Sequence, residues 1–291
     1  MPTITFEQVN LRYGKQAALR DLSFTIAENT ICGLLGRNGA GKTSLLSLLA
    51  SYRAQSSGRV LLDGEPVFDN PRVTPLIGFV RIRSEEGNSN RVKEELRMAA
   101  LFRPNWDGDY ALKLLDQFGI PLEKRMYKLS LGMQASVRGI IGIASRTPVT
   151  LYDEAYLGMD AAIRQRFVRE ILEDYMRFPR TILFSTHFIS EVEKMLETVL
   201  VLSEGALLLH EDCDTLRARG AAISGNSSAV DEFCAAFGWK PLSGRTLGGL
   251  KEIIIFGEIT GEQRTEAARL GLNFSQPPLQ ELFVHITEKG V

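Results

Sequence analysis

Residues 36–43 combine the residue types and the spacing of a loop that binds phosphate. They read Gly-Arg-Asn-Gly-Ala-Gly-Lys-Thr, so that two glycines with four residues between them precede a lysine and a hydroxyl residue. The apolar segment 30–35 predicts a buried strand before the loop, and leucines at helical spacing in 44–50 predict a helix after it. A strand, a glycine loop and a helix start together direct backbone N–H groups towards one anion. We therefore expect a nucleoside triphosphate here, with Lys42 on the β- and γ-phosphates and the Thr43 hydroxyl on Mg²⁺.

Two carboxylates follow the apolar segment 148–152, which predicts a second buried strand. Asp153, at the end of this strand, is expected to hold the Mg²⁺ ion, directly or through water. Glu154 can then polarise an attacking water molecule as a general base, an effect worth roughly 10²–10⁴ in rate. Because adjacent carboxylates after a strand are also common in solvated turns, this hypothesis depends on the phosphate loop in the same chain.

Three further residues are weaker candidates, because each has an ordinary structural explanation as well. Ser130 lies in 128–134, ahead of a helical stretch, where its hydroxyl either faces a phosphate or simply caps the helix. His187 follows the apolar strand that ends at 184–186, on the side where phosphates are expected, although a lone histidine is usually structural. Tyr13 can stack on an adenine ring, or it can be an amphipathic strand residue.

The elements that must position these residues alternate between strands and helices. Residues 3–35 read as strands and turns, and the chain becomes helical over about 84–147. Residues 149–210 return to strands that alternate with helices, which implies a mainly parallel sheet covered on its faces. We therefore expect an α/β fold with one domain at 1–214 and a C-terminal accessory domain at 215–291.

The C-terminal part opens with a looser stretch at 222–228. In order, its pattern predicts a strand, a helix at 230–237, a strand at 251–257, a helix at 261–270 and a closing segment at 279–287. This small α+β region has no phosphate-loop element. We expect it to help subunits pair or to regulate the other domain without touching the nucleotide.

Composition limits the remaining possibilities. The chain has 291 residues, enough for a large and a small domain, and its formal net charge of −1 provides no basic field for nucleic acid. Its three scattered cysteines suit a reducing compartment. The N-terminus lacks the features of a signal peptide, and no apolar run approaches the roughly 20 residues of a membrane span. We expect a cytoplasmic protein whose membrane role requires a separate partner.

Taken in order along residues 3–210, these motifs resemble those of the ATP-binding-cassette (ABC) ATPases. The resemblance implies that Asp153 is the Walker B aspartate, Glu154 the catalytic glutamate and His187 the switch histidine. The implied metal ligands are Thr43 and Asp153. The nucleotide-binding residues that the resemblance implies, with the Walker A loop among them, are Tyr13, Gly36, Arg37, Asn38, Gly39, Ala40, Gly41, Lys42, Thr43 and Ser44. The implied signature loop, which contacts ATP on the opposite subunit, consists of Ser130, Leu131, Gly132 and Met133. The implied D-loop aspartate is Asp160.

The resemblance also implies a fold, ligands and partners. The fold is a P-loop NTPase core with an antiparallel β-subdomain and a helical signature subdomain, followed by a small α+β domain. The ligands are ATP and Mg²⁺, and each ATP lies in a head-to-tail dimer between the Walker A loop of one subunit and the Ser130 loop of the other. The subunit sits on the inner face of the cell membrane and drives transport through separate permease subunits. Residues 102–107 further resemble the bacterial subfamily encoded beside GntR-type regulators.

Three positions depart from the family pattern. Leu131 replaces the glycine usual in the signature, and Ala155 replaces the proline usual after the glutamate. The segment 77–82 aligns with the strand that usually ends in the Q-loop glutamine, and it contains no glutamine. The nearest polar residues are Arg81, Arg83, Ser84, Glu85 and Glu86. We expect the link between the metal and the membrane partner to differ here.

Several alternatives remain open at this point. The chain fits a soluble cassette ATPase that acts on ribosomes or nucleic acid, although such relatives usually carry two cassettes or long coiled coils. It also fits a weakly hydrolysing regulatory cassette that pairs with a different subunit. Homodimers and heterodimers are equally compatible with these motifs, and neither the substrate nor the direction of transport can be predicted.

Overall fold

The computed structural model describes residues 2–82, 87–257 and 259–289. The chain forms two compact units, residues 1–207 and 208–291. None of the helices in the described ranges combines the length and the apolar character needed to cross a bilayer. Four of the polar residues named around the missing glutamine lie outside the described residues, namely Arg83, Ser84, Glu85 and Glu86.

The first unit alternates strands and helices along most of its length. Its strands are β1 (Ile4–Tyr13), β2 (Gln16–Ile26), β3 (Ile31–Leu35), β4 (Ser57–Leu62), β5 (Glu65–Pro66), β6 (Ile77–Arg81), β7 (Val149–Asp153), β8 (Thr181–Ser185) and β9 (Thr198–Ser203). Strand β10 (Ala206–Asp212) begins in the first unit and ends in the second. Its helices are α1 (Lys42–Leu49), α2 (Val92–Leu101), α3 (Gly108–Gln117), α4 (Leu131–Ser145), α5 (Ala161–Arg177) and α6 (Ile189–Val192).

The N-terminal strands form an antiparallel sheet of order β2-β1-β4-β5. Apolar and polar residues alternate along β1, so that Ile4 and Phe6 are buried on the face that packs against the core. The ring of Phe6 stacks on that of Phe24 in β2, with centroids 4.5 Å apart. The hairpin pairs Tyr13 with Gln16 across its turn, which brings both residues to the same edge of the sheet.

A second sheet has the order β10-β9-β3-β8-β7-β6. Its central pairings, β3 with β8 and β9, β7 with β8, and β6 with β7, are all parallel, which confirms the mainly parallel sheet that the sequence predicts. Every residue of β3, β7 and β8 is buried. Strands buried on both faces read as continuous apolar runs, and this explains why their pattern does not alternate.

Three helices, α2, α3 and α4, pack on one another in the region where the sequence predicts helices. Helix α4 is buried from Ala135 to Ser145 except at Arg138, because it also packs against β6 and α5. Arg138 reaches Glu95 on α2, with Nη1 and Oε2 2.9 Å apart. These contacts fix the start of α4, where Ser130 lies, relative to the parallel sheet.

The second unit contains strands and helices in nearly equal numbers. Its elements in chain order are α7 (Cys213–Ala218), β11 (Gly220–Asn226), α8 (Ser227–Phe237), β12 (Ser243–Leu247), β13 (Leu250–Phe256), α9 (Gly261–Arg269), β14 (Asn273–Ser275) and α10 (Leu279–Lys289). Its sheet has the order β12-β13-β11-β14 with antiparallel pairing throughout. The run from β11 to β14 is therefore a β-α-β-β-α-β unit of the ferredoxin-like kind.

The predicted small α+β domain is confirmed as a fold class, with differences in detail. Segment 222–228, interpreted from the sequence as a loose stretch, is the end of β11 and the start of α8. Helix α8 begins before residue 230 because Asn226 caps it, with Oδ1 accepting from the Ser228 N–H at 3.0 Å. Strands β12 and β14 are absent from the predicted elements, since both are short and largely polar or exposed.

Candidate nucleotide-binding site

The glycine loop lies between β3 and α1, as its sequence predicts. Gly39 and Gly41 have φ values of +81° and +105°, a region that L-residues with a side chain rarely adopt. Gly36 is required for a different reason, because a Cβ at this position would come within 2.7 Å of the Leu202 carbonyl oxygen. The backbone therefore curls closely at the start of α1, with its free N–H groups exposed to a ligand.

Lys42 folds back over this loop. Its Nζ donates hydrogen bonds to the carbonyl oxygens of Gly36, at 2.7 Å, and Arg37, at 3.3 Å. Burial lowers the pKa of the ammonium from its usual 10.5, while the negative charges of Glu154 and Asp153 oppose that change. The loop thus holds a desolvated cation with incomplete charge compensation, which a phosphate would complete.

Asp153 and Ser185 end neighbouring strands, and the parallel register of β7 and β8 places them opposite each other. The Ser185 hydroxyl donates to Oδ1 of Asp153 at 2.8 Å. The Thr43 hydroxyl lies 3.3 Å from the same oxygen. A buried carboxylate and two hydroxyls from three elements therefore meet at the carboxyl end of the sheet.

Glu154 and His187 form a contact at the rim of this end of the sheet, with Oε2 and Nδ1 2.6 Å apart. Both side chains are partly exposed, Glu154 by 25% and His187 by 42%. The backbone of Glu154 has a φ of +50°, the left-handed region, and its N–H donates to the Ser185 carbonyl at 3.2 Å. The strained turn directs the carboxylate towards the cavity above the glycine loop, where it can accept a proton from water.

A cavity of about 820 Å³ lies over the glycine loop, within the size range of small-molecule sites. The predicted residues that line it are Tyr13, Asn38, Gly39, Ala40, Gly41, Lys42, Thr43, Ser44, Glu154 and His187. Gly36, Arg37 and Asp153 are absent from this lining, although the contacts above place them directly beneath it. The Tyr13 hydroxyl lies 3.4 Å from Ser44 Oγ, and the Arg53 guanidinium stacks 4.6 Å from the Tyr13 ring centroid.

Sequence reasoning missed several residues of the lining. They are Gln16, Ala17, Ala18, Arg20, Leu157 and Glu204. The hairpin signal after Tyr13 was the only available indication that the start of β2 lies beside the nucleotide. Nothing in the pattern around Glu204, in the turn between β9 and β10, indicates its position.

Comparison with known proteins decides the family of this arrangement. A family model described as ABC transporter matches residues 19–157, and ABC transporter ATP-binding proteins align with the chain well beyond that range. Residues 19–157 of this chain form an ABC transporter ATP-binding domain. It is therefore an ATPase of the ABC type, and ATP is its nucleotide.

Two relatives illustrate the similarity in sequence, and one solved structure shows the same fold. The chain is 28% identical over 214 residues to the ABC transporter ATP-binding protein YtrB of Bacillus subtilis, covering 74% of this chain and 73% of YtrB. It is 28% identical over 288 residues to an uncharacterised ABC transporter ATP-binding protein of Nostoc, all4389, and the alignment covers 94% of this chain and 84% of all4389. A solved ATP-binding subunit of an ABC transporter superposes with a TM-score of 0.66 at 21% identity, and the superposition covers 74% of this chain and 91% of that subunit.

The predicted signature loop lies apart from the nucleotide cavity of its own chain. Ser130, Leu131, Gly132 and Met133 are all absent from the cavity lining. Ser130 caps α4 by accepting a hydrogen bond from the Met133 N–H at 3.3 Å. Asp160 of the D-loop caps α5 in the same way, accepting from the Ile163 N–H at 2.9 Å. Both residues thus make the ordinary helix-capping contacts and leave their outer surfaces exposed.

The signature loop and the D-loop pack directly on each other. A Cβ at Gly132 would lie 2.5 Å from the Gly158 carbonyl oxygen, and one at Gly158 would lie 2.8 Å from Leu131 Cγ. Leu131, the departure from the usual glycine, therefore covers Gly158 and leaves half of its own surface exposed.

The end of β6 is the segment that the sequence aligns with the Q-loop. Arg81 pairs in parallel register with Asp153, and Ile82 follows as the first residue after the strand. The guanidinium of Arg81 lies over Phe79, 5.9 Å from the ring centroid. The residue beside Asp153, the predicted Walker B aspartate, is thus a cation.

Proposed function

We propose that this ABC ATPase is the nucleotide-binding subunit of a transporter, in which it hydrolyses ATP at a dimer interface and drives separate permease subunits. The observation that carries the proposal is the convergence of Lys42, Thr43, Asp153, Glu154 and His187 at one end of the parallel sheet, around one cavity. These groups come from the ends of two strands, β7 and β8, and from the start of helix α1. Such convergence supports a site for phosphoryl transfer to water.

The roles of these residues follow from their chemistry. Lys42 exchanges its carbonyl partners for the β- and γ-phosphates, and the loop N–H groups bind the remaining phosphate oxygens. Glu154 accepts a proton from the attacking water, and His187 holds the carboxylate through the 2.6 Å contact. The Glu154 carboxylate is partly exposed, which leaves it accessible to water.

The residues present fit a Mg²⁺ ion that arrives with ATP. The Thr43 hydroxyl and the Asp153 carboxylate, 3.3 Å apart, are hard oxygen donors of the kind that Mg²⁺ prefers. When bound, the ion would neutralise charge on the β- and γ-phosphate oxygens. Ser185 orients the carboxylate by donating to the same oxygen that Thr43 approaches.

A second subunit completes the site in this proposal. Ser130 and Gly132 do not reach the cavity of their own chain, yet α4 presents its capped N-terminus at an exposed surface. A helix N-terminus favours an anion, so that this surface is suited to the γ-phosphate held by another copy or by a different cassette. The relatives named as transporter ATP-binding proteins support a permease as the further partner, which would hold the subunit at the membrane.

The test of this proposal compares three variants in steady-state ATP hydrolysis. Glu154→Gln should keep ATP binding and slow turnover by at least about 10², because only the general base is lost. Lys42→Ala should instead weaken ATP binding. Glu173→Gln, which changes an exposed glutamate on α5, should hydrolyse at the wild-type rate. Turnover by Glu154→Gln at the rate of the Glu173→Gln control would refute the assigned base.

A further inference from the structure

Tyr156 and Thr186 lie next to the proposed catalytic pair, Glu154 and His187. Both are buried, and a hydrogen bond joins their hydroxyls. Tyr156 belongs to the turn that carries Glu154, and Thr186 directly precedes His187. Neither residue has been assigned a role in nucleotide binding or hydrolysis above, and neither lines the nucleotide cavity. The bond therefore connects the turn that carries Glu154 to the segment that carries His187, outside the cavity lining.

The surroundings of Tyr156 hold this bond in place. Its ring stacks on Phe184 of β8, with centroids 5.4 Å apart and planes 25° apart. The Thr186 hydroxyl also accepts a hydrogen bond from the Phe188 N–H at 2.8 Å. The Tyr156 carbonyl accepts from the Met159 N–H at 3.1 Å, which ties the same residue to the D-loop. Both ends of the hydroxyl bond are thus fixed to regular structure.

The catalytic pair needs such support, because its own contact is exposed. A carboxylate and an imidazole that are 25% and 42% exposed gain little from pairing in water. The left-handed backbone at Glu154 adds strain, which surrounding structure must offset. A buried bond between two hydroxyls resists separation more strongly, since breaking it leaves polar groups without water.

We propose that Tyr156 and Thr186 are positioning residues, which keep Glu154 and His187 within contact distance for hydrolysis. The inference rests on the proposed function, since it takes Glu154 as the general base. Tyr156→Phe removes the hydroxyl but keeps the ring on Phe184, and Thr186 keeps the Phe188 N–H as a partner. The fold should therefore survive while the catalytic pair loosens.

The expected effect is on kcat alone. Tyr156→Phe should lower kcat about tenfold, because catalysis is sensitive to small displacements of a catalytic group. The affinity for ATP should stay within about twofold of wild type, because no phosphate contact changes. Thr186→Val removes the hydroxyl and should behave like Tyr156→Phe. Thr186→Ser keeps a hydroxyl and should stay near the wild-type kcat.

The matched control is Tyr175→Phe. The Tyr175 hydroxyl also makes hydrogen bonds in the first unit, to the Asn29 carbonyl at 2.5 Å and to Glu197 at 3.1 Å, near the start of β3 rather than its phosphate-loop end. Losing this hydroxyl should lower the melting temperature and leave kcat unchanged. A kcat for Tyr156→Phe equal to that of the control would overturn the inference.

A second readout separates positioning from general destabilisation. In the Glu154→Gln background, Tyr156→Phe should cause no further loss of kcat, since the group that it positions has already been removed. A further tenfold loss in that background would contradict the inference even if the single variant is slow. An active Glu154→Gln enzyme would instead refute the proposed general base, so the two failures are distinguishable.

Discussion

At the scale of single residues, Lys42 shows how the fold prepares charge for a substrate. Its ammonium is buried against backbone carbonyls, which can solvate it but cannot neutralise it. Desolvation consequently lowers its pKa from 10.5 in the absence of nucleotide. The phosphates of ATP would add negative charge beside the ammonium and raise that pKa again.

This difference predicts a pH dependence of ATP affinity. Because the pKa of Lys42 is higher in the complex than in the empty site, binding takes up a proton in alkaline solution, and affinity falls as pH rises. We expect the dissociation constant of ATP to increase as the pH rises towards 10.5, the usual pKa of a lysine, and to begin increasing below that value. In Lys42→Ala, binding should be weak at every pH and should lack this slope. Equilibrium titration with ATP checks both, and a slope shared by the variant would contradict the assignment to Lys42.

Sequence alone could predict the groups that act on phosphate, because their roles depend on residue type and on strand ends. Asp153 and His187 follow apolar runs, and parallel strands bring such positions together. It could not predict the supporting contacts of Tyr156 or the stacking of Arg53 on Tyr13, since these pairs lie far apart in the chain. The individual roles of the site residues stay predictions.

At the scale of elements, the start of α4 and the D-loop form one packed unit. Gly132 has no room for a side chain, because the Gly158 carbonyl oxygen lies 2.5 Å from the position of its Cβ. The signature loop and the D-loop must therefore move together. Any displacement of the D-loop would therefore also displace Ser130, which lies two residues before Gly132.

Gly132→Ala tests this mechanical link. The added methyl group should push α4 away from the D-loop, and ATP hydrolysis should fall about tenfold or more with ATP binding retained. Gly261→Ala is the matched control, because it lies in the first turn of α9 with open space around its Cβ position. Steady-state hydrolysis and ATP titration measure both variants. Equal activity of the two variants would show that the signature loop tolerates separation from the D-loop.

The strands and helices differ in how clearly their own sequences predict them. Strands β3, β7 and β8 are buried throughout and mostly apolar, and α3 carries apolar residues at helical spacing. Strand β12 reads Ser-Gly-Arg-Thr-Leu and is mostly exposed, because it is an edge strand paired only with β13 in the described chain. Its conformation comes from that pairing rather than from its own pattern.

At the scale of the whole molecule, the proposed function implies that one chain holds two incomplete halves of an ATP site. The cavity contains the Walker A loop and the catalytic pair, while the Ser130 loop lies on a different surface. Two head-to-tail subunits would bring these halves together. The predicted domain boundary at 214/215 and the role of residues 215–291 stay predictions, since the compact units divide at 207/208 and this division says nothing about activity.

Mixing two inactive variants tests site sharing. Ser130→Arg should keep ATP binding to the monomer but block the partner's γ-phosphate, whereas Lys42→Ala disables only its own phosphate loop. An equimolar mixture contains dimers with one intact composite site, so partial hydrolysis should return. Each variant alone serves as the control. If both variants are folded by circular dichroism and the mixture remains inactive, sites are not shared.

The left-handed backbone of Glu154 has a consequence for how this enzyme can evolve. Such a conformation costs about 1 kcal/mol or more for a residue with a Cβ, and glycine would adopt it freely. Heat tolerance and catalysis are therefore opposed at this one position. Lineages selected for thermal stability alone would tend to lose the glutamate, whereas lineages that must turn over ATP retain it at the expense of a less stable fold.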